Sequence, residues 1–185
     1  VDGNTIYQAT DGGYLYARDP ASGQIKWQSA IGGGIHWPAA AANGLVFVDV
    51  FETGNLLAID TTTGQERWRI SSGGLPPASR GVAVSAGVVH LFYPGAIVAL
   101  DAATGVELWR ADADPGASST LVIASGRLYY GTYGGDMVAF DTATHAEVWR
   151  YQVGRIEGSS PAILDGVVYA CNANGEITAL WTAVS

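Results

Sequence analysis

Asn55-Leu56-Leu57-Ala58-Ile59-Asp60-Thr61-Thr62-Thr63-Gly64-Gln65-Glu66-Arg67-Trp68 decides the fold, because the same phrase recurs along the chain. Tyr14–Trp27, Ala96–Trp109 and Asp136–Trp149 align with it without gaps. All four copies share Ala-x-Asp and a terminal Trp, and three carry Gly (Gly23, Gly64, Gly105) where the fourth has His145. Trp27, Trp68, Trp109 and Trp149 are spaced by 41, 41 and 40 residues. A fifth copy starts at Glu176-Ile177-Thr178-Ala179-Leu180 and breaks off with Trp181 at the aspartate position. A fixed period of this length signals a repeat architecture in which each unit buries its face on the next.

Each period holds four strand-like runs separated by turns. An Ala/Val run (Val82–Val84, Pro161–Ile163) is followed by a β-branched and aromatic run (Leu45–Val48, Leu128–Tyr130, Val167–Tyr169). The Leu-x-Ala-x-Asp run comes third, and the run ending on Trp comes last. Four short strands per 40-residue unit describe a blade of a β-propeller, a four-stranded antiparallel sheet with strands A to D. Asn-Gly, Asp-Gly and Ser-Gly pairs between A and B supply the positive φ that tight hairpins need. The fold class is therefore all-β: a propeller of four to five blades in one domain over 1–185. The divisions are a partial blade 1–30, blades 31–71, 72–112 and 113–153, and a partial blade 154–185. Eighteen strands are expected, so each terminal blade lacks one. Unpaired edges invite pairing with another chain. The expected closures are a slightly defective five-blade ring, an open arc needing a partner, or a homodimer closing a larger ring.

Composition agrees. The 185 residues include 25 glycines, which the turns absorb, and 48% hydrophobic residues, enough for a core. A net charge of −8 matches a phosphate backbone poorly, so nucleic acid is not an expected partner. No apolar run is long enough to span a membrane. Val1-Asp2-Gly3-Asn4 has no leader character, and the chain is read as a mature or trimmed product. The single Cys171 lies in a strand run and is expected to be a buried small hydrophobe.

The tryptophans are expected to act as glue between blades. Bare backbone at Gly23, Gly64 and Gly105 offers a flat seat for a Trp, and Asp19, Asp60, Asp101 and Asp141 can brace the turns by accepting backbone N–H bonds. Signatures of nucleophilic catalysis, zinc ligation and phosphate cradling are absent from the sequence. Asp112 and Asp114 are too few for calcium and read as a solvated turn. His90 reads as a structural strand histidine, and His145 as a residue tolerating positive φ.

Binding should lie where the blades differ, in the D–A and B–C connections that share one end of a propeller. These gather His36, Trp37, Arg80, Tyr133, Arg155 and Glu157, with Phe51, Glu52, Tyr93 and Asn172 nearby. Aromatic anchors with arginine suit a protein, peptide or glycan ligand. The alternative is that Trp37 packs on its own blade and both arginines are solvated.

The phrase Ala-x-Asp-x-x-Thr-Gly-x-x-x-Trp resembles the tryptophan-docking motif of the PQQ-like β-propeller repeat family, over almost the whole chain. Members of that family include quinoprotein dehydrogenases, a scaffolding barrel-assembly lipoprotein of the outer membrane, and sensor domains of actinobacterial Ser/Thr kinases. The dehydrogenases use a vicinal cysteine pair, calcium and the quinone, whereas this chain has one cysteine. The resemblance therefore implies a non-catalytic, extracytoplasmic binding or scaffold module, such as a sensor domain of a larger receptor, with neither PQQ nor metal. A fragment of a quinoprotein dehydrogenase and a structural module assembling through its edges are the alternatives.

Overall fold

The computed structural model describes residues 3–71, 81–93, 95–156 and 158–181. They form eighteen strands in five antiparallel sheets and no helix. The first sheet contains β1 (Ile6–Ala9), β2 (Tyr14–Arg18) and β3 (Ile25–Ala30). Four strands each follow: β4 (Ala40–Ala42), β5 (Leu45–Val50), β6 (Asn55–Asp60), β7 (Glu66–Ser71); then β8 (Ala83–Ser85), β9 (Val88–Tyr93), β10 (Ala96–Asp101), β11 (Glu107–Asp112). The fourth sheet is β12 (Val122–Ala124), β13 (Arg127–Gly131), β14 (Asp136–Asp141) and β15 (Ala146–Gln152). The last is β16 (Ala162–Leu164), β17 (Val167–Cys171) and β18 (Ile177–Trp181). Strand A is missing from the first sheet and strand D from the fifth, among the described residues. Two compact units divide the chain, 1–93 with 98–109 and 94–97 with 110–185.

The A–B hairpins turn on Asn43-Gly44, Ala86-Gly87, Ser125-Gly126 and Asp165-Gly166, with φ positive at both residues of every pair. That is the primed geometry whose twist matches the strands. Alanine is the misfit, since a Cβ in the left-handed region costs about 1 kcal/mol. Ala86→Asn is therefore expected to raise stability by about 1 kcal/mol, read as a higher urea midpoint at unchanged slope.

β5 and β6 are buried on both faces because a sheet covers each side. Leu45, Phe47, Leu56 and Ala58 pack with Val89, Leu91, Val98 and Leu100 of the third sheet. Val46, Val48, Leu57 and Ile59 face Leu15, Ile31 and Ile35 on the other side. In the second unit a separate core joins Tyr129, Met137 and Ala139 to Val168 and Ala170.

One row of residues explains the repeat alanine. Tyr7, Ala17 and Trp27 lie side by side across β1, β2 and β3, and Phe47, Ala58 and Trp68 do so across β5, β6 and β7. The row recurs as Tyr129, Ala139 and Trp149. Ring centroids of the flanking aromatics stand 5.9, 5.8 and 6.0 Å apart. Only a small central side chain lets the two rings meet over it, and all three alanines are fully buried.

Each Trp also reaches the next turn where both lie in one unit. Trp27 Nε1 donates to Thr61 O at 2.8 Å, and Trp68 Nε1 to Ala102 O at 3.0 Å. A Cβ on Gly64 would stand 2.8 Å from Trp27 Cδ2, and one on Gly105 would stand 3.0 Å from Trp68 Cδ2. The glycines, at φ 72° and 74°, thus serve both the turn and the ring above it. Asp60 Oδ1 holds its turn by accepting the N–H groups of Thr62 and Thr63 at 3.0 and 2.9 Å. Asp19 and Asp141 do the same, and Asp101 accepts from Thr104. These hydrogen bonds favour the ionised form and keep all four carboxyls below the ordinary aspartate value of 3.8.

Cys171 is exposed, contrary to the expectation of a buried thiol. β17 alternates strictly, so Cys171 shares a face with Tyr169, and among the described residues no sheet covers that face.

Candidate functional site

The D–A and B–C connections meet within individual sheets. Phe51 N–H donates to Gly34 O at 3.1 Å, Tyr133 N–H to Gly116 O at 2.8 Å, and Ala173 N–H to Arg155 O at 2.8 Å. Each bond ties a loop that enters strand A to the loop between strands B and C of the same sheet.

In the first unit this end is a shallow groove of about 320 Å³. Its floor is backbone: Gly12, Gly13 and Gly32–Gly34. Side chains are excluded there by contact, since a Cβ on Gly33 would come within 2.7 Å of Val50 Cγ1. Asp11, Tyr14 and Glu52 form the rim, and Glu52 Oε2 accepts the Gly34 N–H at 3.1 Å. Beside it the exposed His36 imidazole stacks on Phe51 at 4.6 Å and 24°. Phe51 is itself exposed, and Trp37 is half-buried. An open backbone floor with an acidic rim and an aromatic shelf suits an extended segment bearing a cationic or aromatic side chain.

In the second unit Tyr133 projects with 47% of its surface exposed, and Arg155 is also exposed. Arg80 and Glu157 lie outside the described residues. The structure thus brings His36 together with Phe51 and the Glu52 rim. Asp11, Gly12 and Gly13, the B–C connection of the first sheet, complete the groove, and sequence reasoning did not single them out. Their position just before the repeat copy that opens at Tyr14 matches that of Phe51–Gly54 before Asn55.

In the acidic loop Asp112 is exposed, as a solvated turn requires, but Asp114 is not simply solvated. Asp114 Oδ1 accepts the Gly116 N–H at 2.8 Å, while its Oδ2 meets Arg150 Nη1 at 2.9 Å. Arg150 also binds Asp136 and Glu147, each at 2.9 Å. The loop carboxylate is consumed by a cation of its own blade, held below the usual carboxylate range by those bonds. Among the described residues no group of three His, Cys, Asp or Glu converges as a metal site.

A family model described as outer membrane protein assembly factor BamB matches residues 1–95 and again 93–183. The chain belongs to this family of PQQ-like repeat propellers. No curated protein matches by sequence. Among solved structures, the crystal structure of BamB from Moraxella catarrhalis superposes with a TM-score of 0.73 at 22% identity, over 96% of this chain and 57% of that one. The computationally designed Ika8 protein superposes with a TM-score of 0.83 at 16% identity, over 98% of this chain and 56% of that one. This BamB-family chain therefore spans little more than half the length of either neighbour. Both likenesses establish the propeller fold.

Proposed function

We propose that this chain is a non-catalytic propeller module that binds protein segments outside the cytoplasm, through the D–A and B–C loop end. The observation that carries the reading is the exposed His36–Phe51 stack beside a glycine-floored, acidic-rimmed groove. Membership of a family described as an outer membrane protein assembly factor supports a scaffold role, and makes strands of unfolded outer-membrane proteins the first ligands to test. A sensor domain of a receptor kinase is a narrower form of the same reading.

Titration calorimetry with a basic, aromatic strand peptide is the direct test. Saturable binding is expected, and replacing His36 and Phe51 together by alanine should weaken it at least tenfold without changing the melting temperature. Stoichiometric uptake of PQQ with calcium, or peptide binding indifferent to these substitutions, would overturn the reading.

A further inference from the structure

Resting on the loop-end reading and narrowing it, we propose that the groove of the first unit seats a lysine side chain of the bound segment, with the Gly12 carbonyl and the Glu52 carboxylate as its acceptors. The chain builds the same turn twice and fills it once from within. Thr10-Asp11-Gly12-Gly13 of the first sheet and Thr132-Tyr133-Gly134-Gly135 of the fourth are the two B–C connections. Thr10 N–H donates to Tyr14 O at 3.0 Å, as Thr132 N–H does to Asp136 O at 2.8 Å. Gly13 N–H donates to Thr10 O at 3.1 Å, and Gly135 N–H to Thr132 O at 3.0 Å. Both threonine hydroxyls accept from the residue that opens the next strand, Tyr14 at 3.3 Å and Asp136 at 3.1 Å.

The two turns differ in the residue that ends strand D beside them. In the fourth sheet Gln152 pairs with Asp136, and its Nε2 donates to Gly134 O at 2.9 Å. That side chain closes over the turn, since a Cβ on Gly135 would stand 2.6 Å from Nε2. In the first sheet Ala30 pairs with Tyr14 in the same register and stops at its Cβ. Ala30, Gly12 and Gly13 line the groove instead, and among the described residues no hydrogen bond reaches Gly12 O. The fourth sheet thus identifies the group that this turn accepts: an N–H donor carried on a flexible aliphatic stem.

Charge selects the donor. A neutral amide serves the fourth sheet, but the groove of the first unit also carries Glu52, from the B–C connection of the second sheet. Its Oε2 accepts the Gly34 N–H at 3.1 Å, which fixes the carboxylate on the wall and leaves Oε1 as a charged acceptor. Asp11 adds a second carboxylate to the rim. An ammonium offers three donors on a compact charge, so one nitrogen can serve a carbonyl and a carboxylate together. Bonds of that kind are about twice as strong as those of a neutral amide. A guanidinium fork suits the site less, because it seeks both oxygens of a carboxylate and Glu52 already spends one on Gly34.

Two titrations test the proposal: Nα-acetyl-lysine amide followed by NMR, and a lysine-containing strand peptide followed by calorimetry. The lysine amide should shift the Gly12, Gly13 and Gly34 resonances saturably, the glutamine analogue more weakly, and the glutamate analogue not at all. Ala30→Gln places the carboxamide where Gln152 has it, at an exposed strand end that tolerates the change. It should weaken both ligands by about tenfold at an unchanged melting temperature. Glu52→Gln keeps an acceptor for Gly34 and should lower lysine to the level of glutamine. Resonance shifts equal for the lysine and glutamate amides, or indifferent to Ala30→Gln, would overturn the seat. Peptide binding that ignores both the lysine and Ala30→Gln would also overturn it, while the loop-end reading stands. A lysine amide that binds where no strand peptide does would support the seat and count against the loop-end reading.

Discussion

Replacing Trp68 by alanine is expected to destabilise the protein by about 3–5 kcal/mol, the range for removing a large packed aromatic. For a chain of this size that is a fall in melting temperature on the order of 10 °C. Three losses coincide at this one side chain. The ring leaves the Phe47 ring, 5.8 Å away across the buried Ala58. It vacates the backbone of Gly105, which has no side chain to fill the space. Its Nε1 hydrogen bond to Ala102 O disappears, leaving a carbonyl of a buried residue without that donor. Trp68→Phe separates these terms: it retains most of the ring packing and should cost only the bond and part of the volume, about 1–2 kcal/mol. Urea unfolding of the three proteins checks the order. An alanine variant within 1 kcal/mol of the parent would show that the blades hold without this ring, leaving the apolar faces as the whole interface.

The blades were legible because the repeat encodes them locally. Asp60 and Gly64 brace a turn, Asn43-Gly44 makes a hairpin, and alternation gives the strands, all within a few residues. Which of these turns seats which Trp was not legible from the repeat. Geometry selects the neighbouring sheet's turn, because Trp68 reaches Ala102 across 34 positions of sequence. The row of B-strand aromatic, alanine and Trp was not read from sequence. B–C loops of unequal length hide it: Tyr7 precedes Trp27 by 20 residues and Phe47 precedes Trp68 by 21. Ala58 was the available signal, since a strand favouring Leu, Val and Ile keeps alanine at one place in every copy.

The candidate site was legible by subtraction and no further. His36 and Phe51 stood out because no repeat role explains them, and they do stack. The glycine floor was hidden among 25 glycines of which most punctuate turns. Cys171 and Asp114 misled for opposite reasons. A strand cysteine is buried only if a sheet covers its face, and a loop carboxylate is solvated only if no cation folds back on it. Arg150 lies 36 positions from Asp114, a distance that no local pattern reports.

Acid is expected to lower the stability of this protein in two pH windows, and His90 accounts for the upper one. Its imidazole packs 5.6 Å from Trp109, the ring contact that Phe47 and Tyr129 make with their own tryptophans, and it pairs across the sheet with Ala83 as Phe47 does with Ala40. It is a histidine in an aromatic hydrocarbon's place, only 3% exposed, with Nδ1 unpaired among the described residues. Burial penalises the imidazolium and lowers the pKa from 6.5 to about 4, against a smaller opposing bond to the Ala83 backbone. Between these values the unfolded chain binds a proton that the folded chain refuses. Stability is therefore complete above pH 6.5 and declines as pH falls toward 4, by about 3 kcal/mol in all. The turn aspartates act in a lower window: their pKa values are depressed in the fold, so their contribution is lost only as pH falls below about 3.8. His90→Phe, which gives this blade the residue that Phe47 supplies in the preceding one, retains a ring against Trp109 and removes the titrating group. Its unfolding free energy should be nearly flat from pH 7 to pH 5.5, where that of the parent slopes, and both should fall at lower pH as Glu66 and the turn aspartates lose their contributions. Equal slopes in the two proteins across that upper window would assign the acid sensitivity to some other group.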